Sequence, residues 1–181
     1  ENTQDTLSAS YSLADFFAED SLLQATTETY FSQLTDKQRV GQMMMNAAGR
    51  LGWPTPTINE LVKEGELGGV LLLNGSREGF KEMATDFQNL SLANGHLPLV
   101  FSADAEPSLV NSKIQGTARV SKTSGISSPE ESRAVARAIS EELEYIGIQY
   151  NLAPVLDLSP DNAAIGNRSF GHQPDSVAAL A

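Results

Sequence analysis

"GGVLLLNGSREGFKEMATDFQNLSLANGHLPLVFSAD", residues 68–104, sets two short apolar runs on either side of a longer segment with a different period. The runs 68–74 and 97–104 are nearly continuous in apolar residues, the pattern of parallel strands covered on both faces. Between them Phe80, Met83, Phe87 and Leu90 recur at helical spacing, and Asn94-Gly95 supplies a stop. Strand, helix, strand in this order predicts a parallel pair joined by a right-handed crossover.

The same alternation continues downstream. Ser128-Pro129-Glu130-Glu131 combines an N-cap serine with proline at the first helical position and an acid three residues after the cap. The helix it starts carries Val135, Ala138, Ile139 and Leu143 on one face and ends before Gly147. "IQYNLAPVLDL" (148–158) then reads as a further strand ending in Asp157. Upstream, Thr35-Asp-Lys-Gln38 has the form of a capping box and predicts a helix running into "RVGQMMMNA" (39–47), with Val40 and Met43 to Met45 as core residues. The fold class is α/β, a parallel (β/α) barrel of the TIM type. A closed eight-fold barrel typically needs about 250 residues, so a chain of 181 holds about the first half of one.

Residues 1–34 differ from this body. Glu1, Asp5, Asp15, Glu19, Asp20 and Glu28 are their only formal charges, and the first basic residue is Lys37. Leu13, Phe16, Phe17, Leu22, Leu23, Tyr30, Phe31 and Leu34 are spaced for one or two short helices packing on a larger body. The segment reads as an acidic leader, with residues 35–181 as the partial barrel.

Composition removes several functions. With 12 Lys+Arg against 23 Asp+Glu the net charge is −11, and a chain without a basic stripe has the wrong sign for nucleic acid. No apolar run approaches the roughly 20 residues of a membrane span. No cysteine and only two histidines, His96 and His172, exclude disulfides, thiol catalysis and a zinc cluster. No metal or cofactor is expected. Both histidines read as exposed. A first residue other than Met fits a removed signal peptide as well as a trimmed chain, so a periplasmic or secreted location is the expectation, with the cytoplasm as the alternative.

In α/β sheets, sites lie at the carboxyl ends of strands. Three such ends carry unusual residues: Asn74-Gly75-Ser76-Arg77, Asp104-Ala105-Glu106, and Asp157 followed by Asn167-Arg168. Asp104 continues the face of Val100 and Ser102, and Glu106 shares it if the backbone stays extended. A helix cap or a strand-end ion pair would use the same carboxylate. Arg168 offers a planar fork of donors suited to hydroxyl or carboxylate oxygens, and a structural pairing with Asp157 is the alternative. No nucleophile elbow, dinucleotide fingerprint or P-loop occurs.

"LTDKQRVGQMMM", "GELGGVLLLN", "LPLVFSADAE", "GIQYNLAPVLDLSPD" and "IGNRSFG" occur in the order and rough spacing of the N-terminal barrel of glycoside hydrolase family 3. The resemblance covers about residues 34–181 and is nearest to the bacterial β-N-acetylglucosaminidase (β-N-acetylhexosaminidase) branch. It implies a retaining glycosidase that removes terminal β-linked N-acetylhexosamine from oligosaccharides such as peptidoglycan or chitin fragments. A β-glucosidase of the same family and a non-catalytic carbohydrate-binding partial barrel are the alternatives. By the resemblance, Asp104 and Arg168 bind the terminal sugar. The family's Lys-His-x-Pro-Gly-His segment with its His general acid, and the nucleophilic Asp, fall beyond Ala181, so no catalytic residue lies within this chain and the C-terminal half of the barrel is its missing partner. Two departures stand near the site. Pro107-Ser108 replaces the usual Gly-Gly, and Ser112 occupies the place of a common arginine, with Lys113 one position later.

Overall fold

The computed structural model describes residues 13–181, and the leader's Glu1 and Asp5 lie outside them. The chain divides into a unit ending at Thr35 and a unit spanning Asp36–Ala181. The first contains α1 (Leu13–Phe17) and α2 (Ser21–Gln33), the latter capped by Asp20, whose carboxylate accepts the N–H groups of Leu22 and Leu23 at 3.0 and 2.9 Å.

The second unit begins with α3 (Asp36–Gly41), β1 (Met45–Ala48), α4 (Thr55–Lys63), β2 (Gly69–Leu72), the short β3 (Gly75–Ser76) and α5 (Arg77–Ala93). It continues with β4 (Val100–Ala103), α6 (Val110–Lys113), β5 (Ile114–Gln115), α7 (Pro129–Ile146), β6 (Tyr150–Asn151) and α8 (Pro174–Leu180). The main sheet is parallel throughout, in the order β1-β2-β4-β6. Each strand is followed by a helix, and neighbours in the sheet are successive in the β-α count, which is the arrangement of consecutive units in a (β/α) barrel. The predicted parallel pairing of the two apolar runs is present, with Gly69 opposite Val100 and Leu71 opposite Ser102.

Val70 and Leu72 of β2 and Phe101 and Ala103 of β4 point to one side, where they are buried. There they join Ile58 and Val62 of α4, Phe80, Ala84 and Phe87 of α5, and Val135, Ile139, Leu143 and Ile146 of α7 in one core. Residues of the opposite parity are mixed: Met45, Val100 and Tyr150 are exposed, whereas Gly69 and Ser102 are buried, the Ser102 hydroxyl lying 2.8 Å from the Met45 sulfur. The expectation of strands covered on both faces therefore holds fully on the helix-bearing face and in part on the other.

Two local readings are corrected. The "RVGQMMMNA" segment is not one helix. α3 stops at Gly41, where a Cβ would fall 2.4 Å from the backbone of Glu66, so only glycine permits the approach that turns the chain into β1. Val40, Met43 and Met44 are accordingly exposed rather than core. The strand expected over 148–158 pairs only at Tyr150–Asn151. Leu152 adds one backbone bond to Ala103 O, after which Pro154, lacking an N–H, cannot extend the ladder. Asp157 is exposed and lies beyond the strand. His96 is also less exposed than expected, with Nε2 2.8 Å from Lys63 O.

The capping signals mark helix ends well. Ser128 Oγ accepts the Glu131 N–H at 3.2 Å, and Gly147 closes α7 in the left-handed region at φ 92°. Arg77, at the start of α5, is paired with Glu142 of α7 and with Glu78, and its guanidinium lies 3.4 Å from the centre of the Tyr145 ring. Burial opposes the charge on Glu142, but the Ala118 N–H and Arg77 together outweigh it and hold the carboxyl below its ordinary value.

Phe80 is 1% exposed and packs against Gly75. Phe80→Ala should lower stability by about 3–5 kcal/mol, measured by urea unfolding. The Glu142 arrangement has its own signature. A carboxyl whose pKa falls on folding contributes stability that is complete above its unfolded value and is lost as pH falls through the folded one. The difference in unfolding midpoint between the natural chain and Glu142→Gln should narrow as pH is lowered from about 6 to about 3.

Candidate active site

The carboxyl end of β4 delivers Asp104 immediately after Ala103, and the following residues leave the extended path. Asn151 of β6 fixes this departure: its Oδ1 accepts the Ala105 N–H at 3.0 Å and its Nδ2 donates to Ala105 O at 3.3 Å. The loop then turns, Glu106 O accepting from Leu109 and Val110. Asp104 and Glu106 differ in surroundings. Asp104 stays partly exposed at 29%, while the Glu106 side chain has no exposure at all.

Each carboxylate has its own cation. Lys113 Nζ is paired with Asp104 Oδ2, so the ammonium next to the unmatched Ser112 occupies the vicinity of the predicted site carboxylate. Arg168 donates through Nε to Glu106 Oε1 at 2.7 Å and through Nη1 to Ala164 O at 3.1 Å. The structural pairing weighed for Arg168, with Asp157, is not the one formed. Asp157 instead uses its backbone carbonyl to accept the Ser169 hydroxyl at 2.6 Å. Ser169, 2% exposed, also accepts the Gly171 N–H at 3.0 Å. This buried hydroxyl folds the "IGNRSFG" loop back on the end of the β6 segment and so brings Arg168 to the β4 loop.

The guanidinium is thus held along one side. Among the described residues Nη2 has no hydrogen-bond partner, Arg168 keeps 29% exposure, and Glu106 Oε2 is buried without a hydrogen bond. The arrangement can present fixed donors, the Asp104 carboxylate and the Lys113 ammonium to a polar ligand. Sequence reading identified Asp104 and Arg168 and missed Lys113 and Glu106 as their respective partners. The signal for Glu106 was its place in Asp-x-Glu, and burial, which decides its role, depends on contacts 62 residues away.

Other features do not gather chemistry. An apolar groove of about 580 Å³ runs beside α7, lined by residues including Val135, Ile139, Leu143, Ile148 and Phe170, and holds none of the four charged residues above. His172 is exposed, with Nε2 4.0 Å from Asp161. Among the described residues no group of three His, Cys, Asp or Glu could hold a metal ion, and no helix is long and apolar enough to cross a membrane.

Known proteins share this arrangement of sequence and fold. The β-hexosaminidase of Neisseria meningitidis is 31% identical over 126 residues, 64% of this chain and 35% of that protein. The β-hexosaminidase LpqI of Mycobacterium tuberculosis is 31% identical over 121 residues, again 64% of this chain and 31% of that one. Among solved structures, a glycoside hydrolase family 3 β-N-acetylglucosaminidase from Paenibacillus sp. superposes with a TM-score of 0.71 at 28% identity, covering 81% of this chain and 29% of that protein. The chain therefore spans about a third of the length of these relatives. The model of the glycosyl hydrolase family 3 N-terminal domain matches residues 35–181, and with the parallel β-α units described above this chain belongs to glycoside hydrolase family 3.

Proposed function

We propose that the chain is the sugar-binding part of an exo-acting β-N-acetylhexosaminidase that removes terminal β-linked N-acetylhexosamine from oligosaccharides such as peptidoglycan or chitin fragments. The observation that carries the reading is Arg168, whose Nε and Nη1 are tied to Glu106 and Ala164 while Nη2 is left for a ligand. Names of relatives favour the same sugar, since two are β-hexosaminidases and one is a β-N-acetylglucosaminidase. These cover only part of each protein's length, so activity is proposed for the whole protein.

In this reading Asp104 accepts hydrogen bonds from hydroxyls of the terminal sugar, and Arg168 and Lys113 donate to its oxygens. Two carboxylates and two cations sum to zero charge, which suits an uncharged sugar recognised by exchange of hydrogen bonds. A retaining mechanism needs a nucleophilic carboxylate and an acid/base, about 5 Å apart in the two-carboxylate case. Asp104 and Glu106 do not supply them, because each is engaged by a cation and Glu106 is buried. Nucleophile and general acid come from outside this chain. A periplasmic or secreted location goes with cell-wall substrates and is part of the proposal.

The 181-residue chain alone should give no turnover of an aryl β-N-acetylglucosaminide, whereas the whole protein should; hydrolysis by rigorously pure chain would overturn the assignment. Arg168 provides the sharper test. Its loss leaves Glu106 buried and unpaired, so Arg168→Ala in the whole protein should cost about 3–5 kcal/mol of stability as well as activity. Arg168→Lys keeps a cation for Glu106 but loses the fork. It should recover most of the melting temperature while kcat/KM stays roughly ten- to a hundred-fold down, the worth of one or more charged hydrogen bonds. Recovery of kcat/KM together with stability would remove the sugar-binding role.

A further inference from the structure

Ser108 follows Pro107 in the loop after β4, and its hydroxyl joins three separate segments. Ser108 Oγ donates to Asn167 O at 2.6 Å and accepts the Thr123 N–H at 3.0 Å, with Thr123 Oγ1 3.1 Å away. Thr123 is 1% exposed, so this junction is built into the body of the fold. The carbonyl it holds belongs to the peptide that links Asn167 to Arg168. The other polar group of that peptide, the Arg168 N–H, donates to Ile165 O at 2.9 Å. Both ends of the peptide dipole are fixed, which fixes the plane from which the Arg168 side chain leaves the backbone.

Two residues earlier on the same loop, Glu106 holds the other end of that side chain. The loop after β4 therefore grips Arg168 at its backbone through Ser108 and at its guanidinium through Glu106. A residue without a hydroxyl at 108 would keep the second grip and lose the first. Pro107, with a φ fixed by its ring, limits how far the loop can relax to compensate.

We propose that Ser108 is a positioning residue for sugar binding, which pre-sets Arg168 through the Asn167 carbonyl and so lowers the cost of ordering the site when the ligand arrives. The inference rests on the sugar-binding role proposed for Arg168. Ser108 itself touches no substrate, and its effect passes through the arginine.

The test uses the whole protein, an aryl β-N-acetylglucosaminide as substrate and free N-acetylglucosamine as competitive inhibitor. Ser108→Ala should raise KM and the inhibition constant together by roughly three- to ten-fold, the range of one net hydrogen bond. kcat should stay within about twofold, because binding rather than chemistry is affected. Ser108→Gly should show the same split and serves should Ser108→Ala fail to fold, while Ser108→Thr, which keeps the hydroxyl, should restore most of the affinity. In an Arg168→Lys background, Ser108→Ala should add less than about twofold, because residues acting through one group are not additive. Full additivity there would overturn the positioning role. So would unchanged KM and inhibition constant in Ser108→Ala beside raised values in Arg168→Lys. If Arg168→Lys itself leaves both constants unchanged, the sugar-binding reading falls and the positioning role falls with it.

Discussion

Glu106 is a carboxylate with no solvent exposure, and its charge is matched by one guanidinium reaching it from a loop 62 residues away. A buried charge left without a partner costs several kcal/mol, far more than an exposed ion pair returns. The loop after β4 and the loop carrying Arg168 are therefore obliged to meet. The partial burial of Arg168, 29% exposed, follows from the same requirement, because the guanidinium must sit deep enough to reach Glu106. Asp104, two residues before Glu106, shares the loop but not the constraint, since its own cation, Lys113, is partly exposed.

The rest of the unit keeps this loop in register. Asn151 clamps Ala105 from the neighbouring strand, so the turn that follows Glu106 begins at a fixed point. Downstream, β5 pairs in parallel with β3 directly after Lys113, placing the lysine by a ladder rather than by its own contacts. Arg77 and Glu142 brace that small ladder from the helices, and Glu142 also accepts the Ala118 N–H at 2.9 Å, just past β5. Lysine position, strand register and helix packing are thus coupled through a few side chains whose sequence neighbours give no hint of the connection.

What could be read from the sequence divides along that line. Periodicity and caps gave the alternation of elements, because helices α5 and α7 and strands β2 and β4 are specified by their own apolar faces and termini. The first strand was lost because "RVGQMMMNA" has helical composition. Its conformation is decided by Gly41 lying against Glu66 and by Met44 O accepting the Gly68 and Gly69 N–H groups, contacts between segments distant in sequence. The last strand was drawn too long for a similar reason, since apolar residues extend past the point where Pro154 ends the ladder. At the candidate site, Asp104 and Arg168 were singled out by strand-end position, side-chain chemistry and the family resemblance. Their partners were not, because an ion pair is a property of two loops at once.

Lys113 and Pro107-Ser108 gain meaning when placed in this network. Lys113 Nζ reaches Asp104 from the junction of α6 and β5. An ammonium is a compact charge without a planar fork, so it neutralises Asp104 without dictating the plane of approach. Arg168 does carry a planar fork, oriented by Glu106, and its backbone is tied by Ser108. A pair of glycines would let the β4 loop choose among conformations. Proline and serine in their place reduce that freedom on the side of the site where the orienting work is done. The two features are therefore physically complementary: the ammonium leaves geometry loose at Asp104, and Pro107-Ser108 tightens it at Arg168.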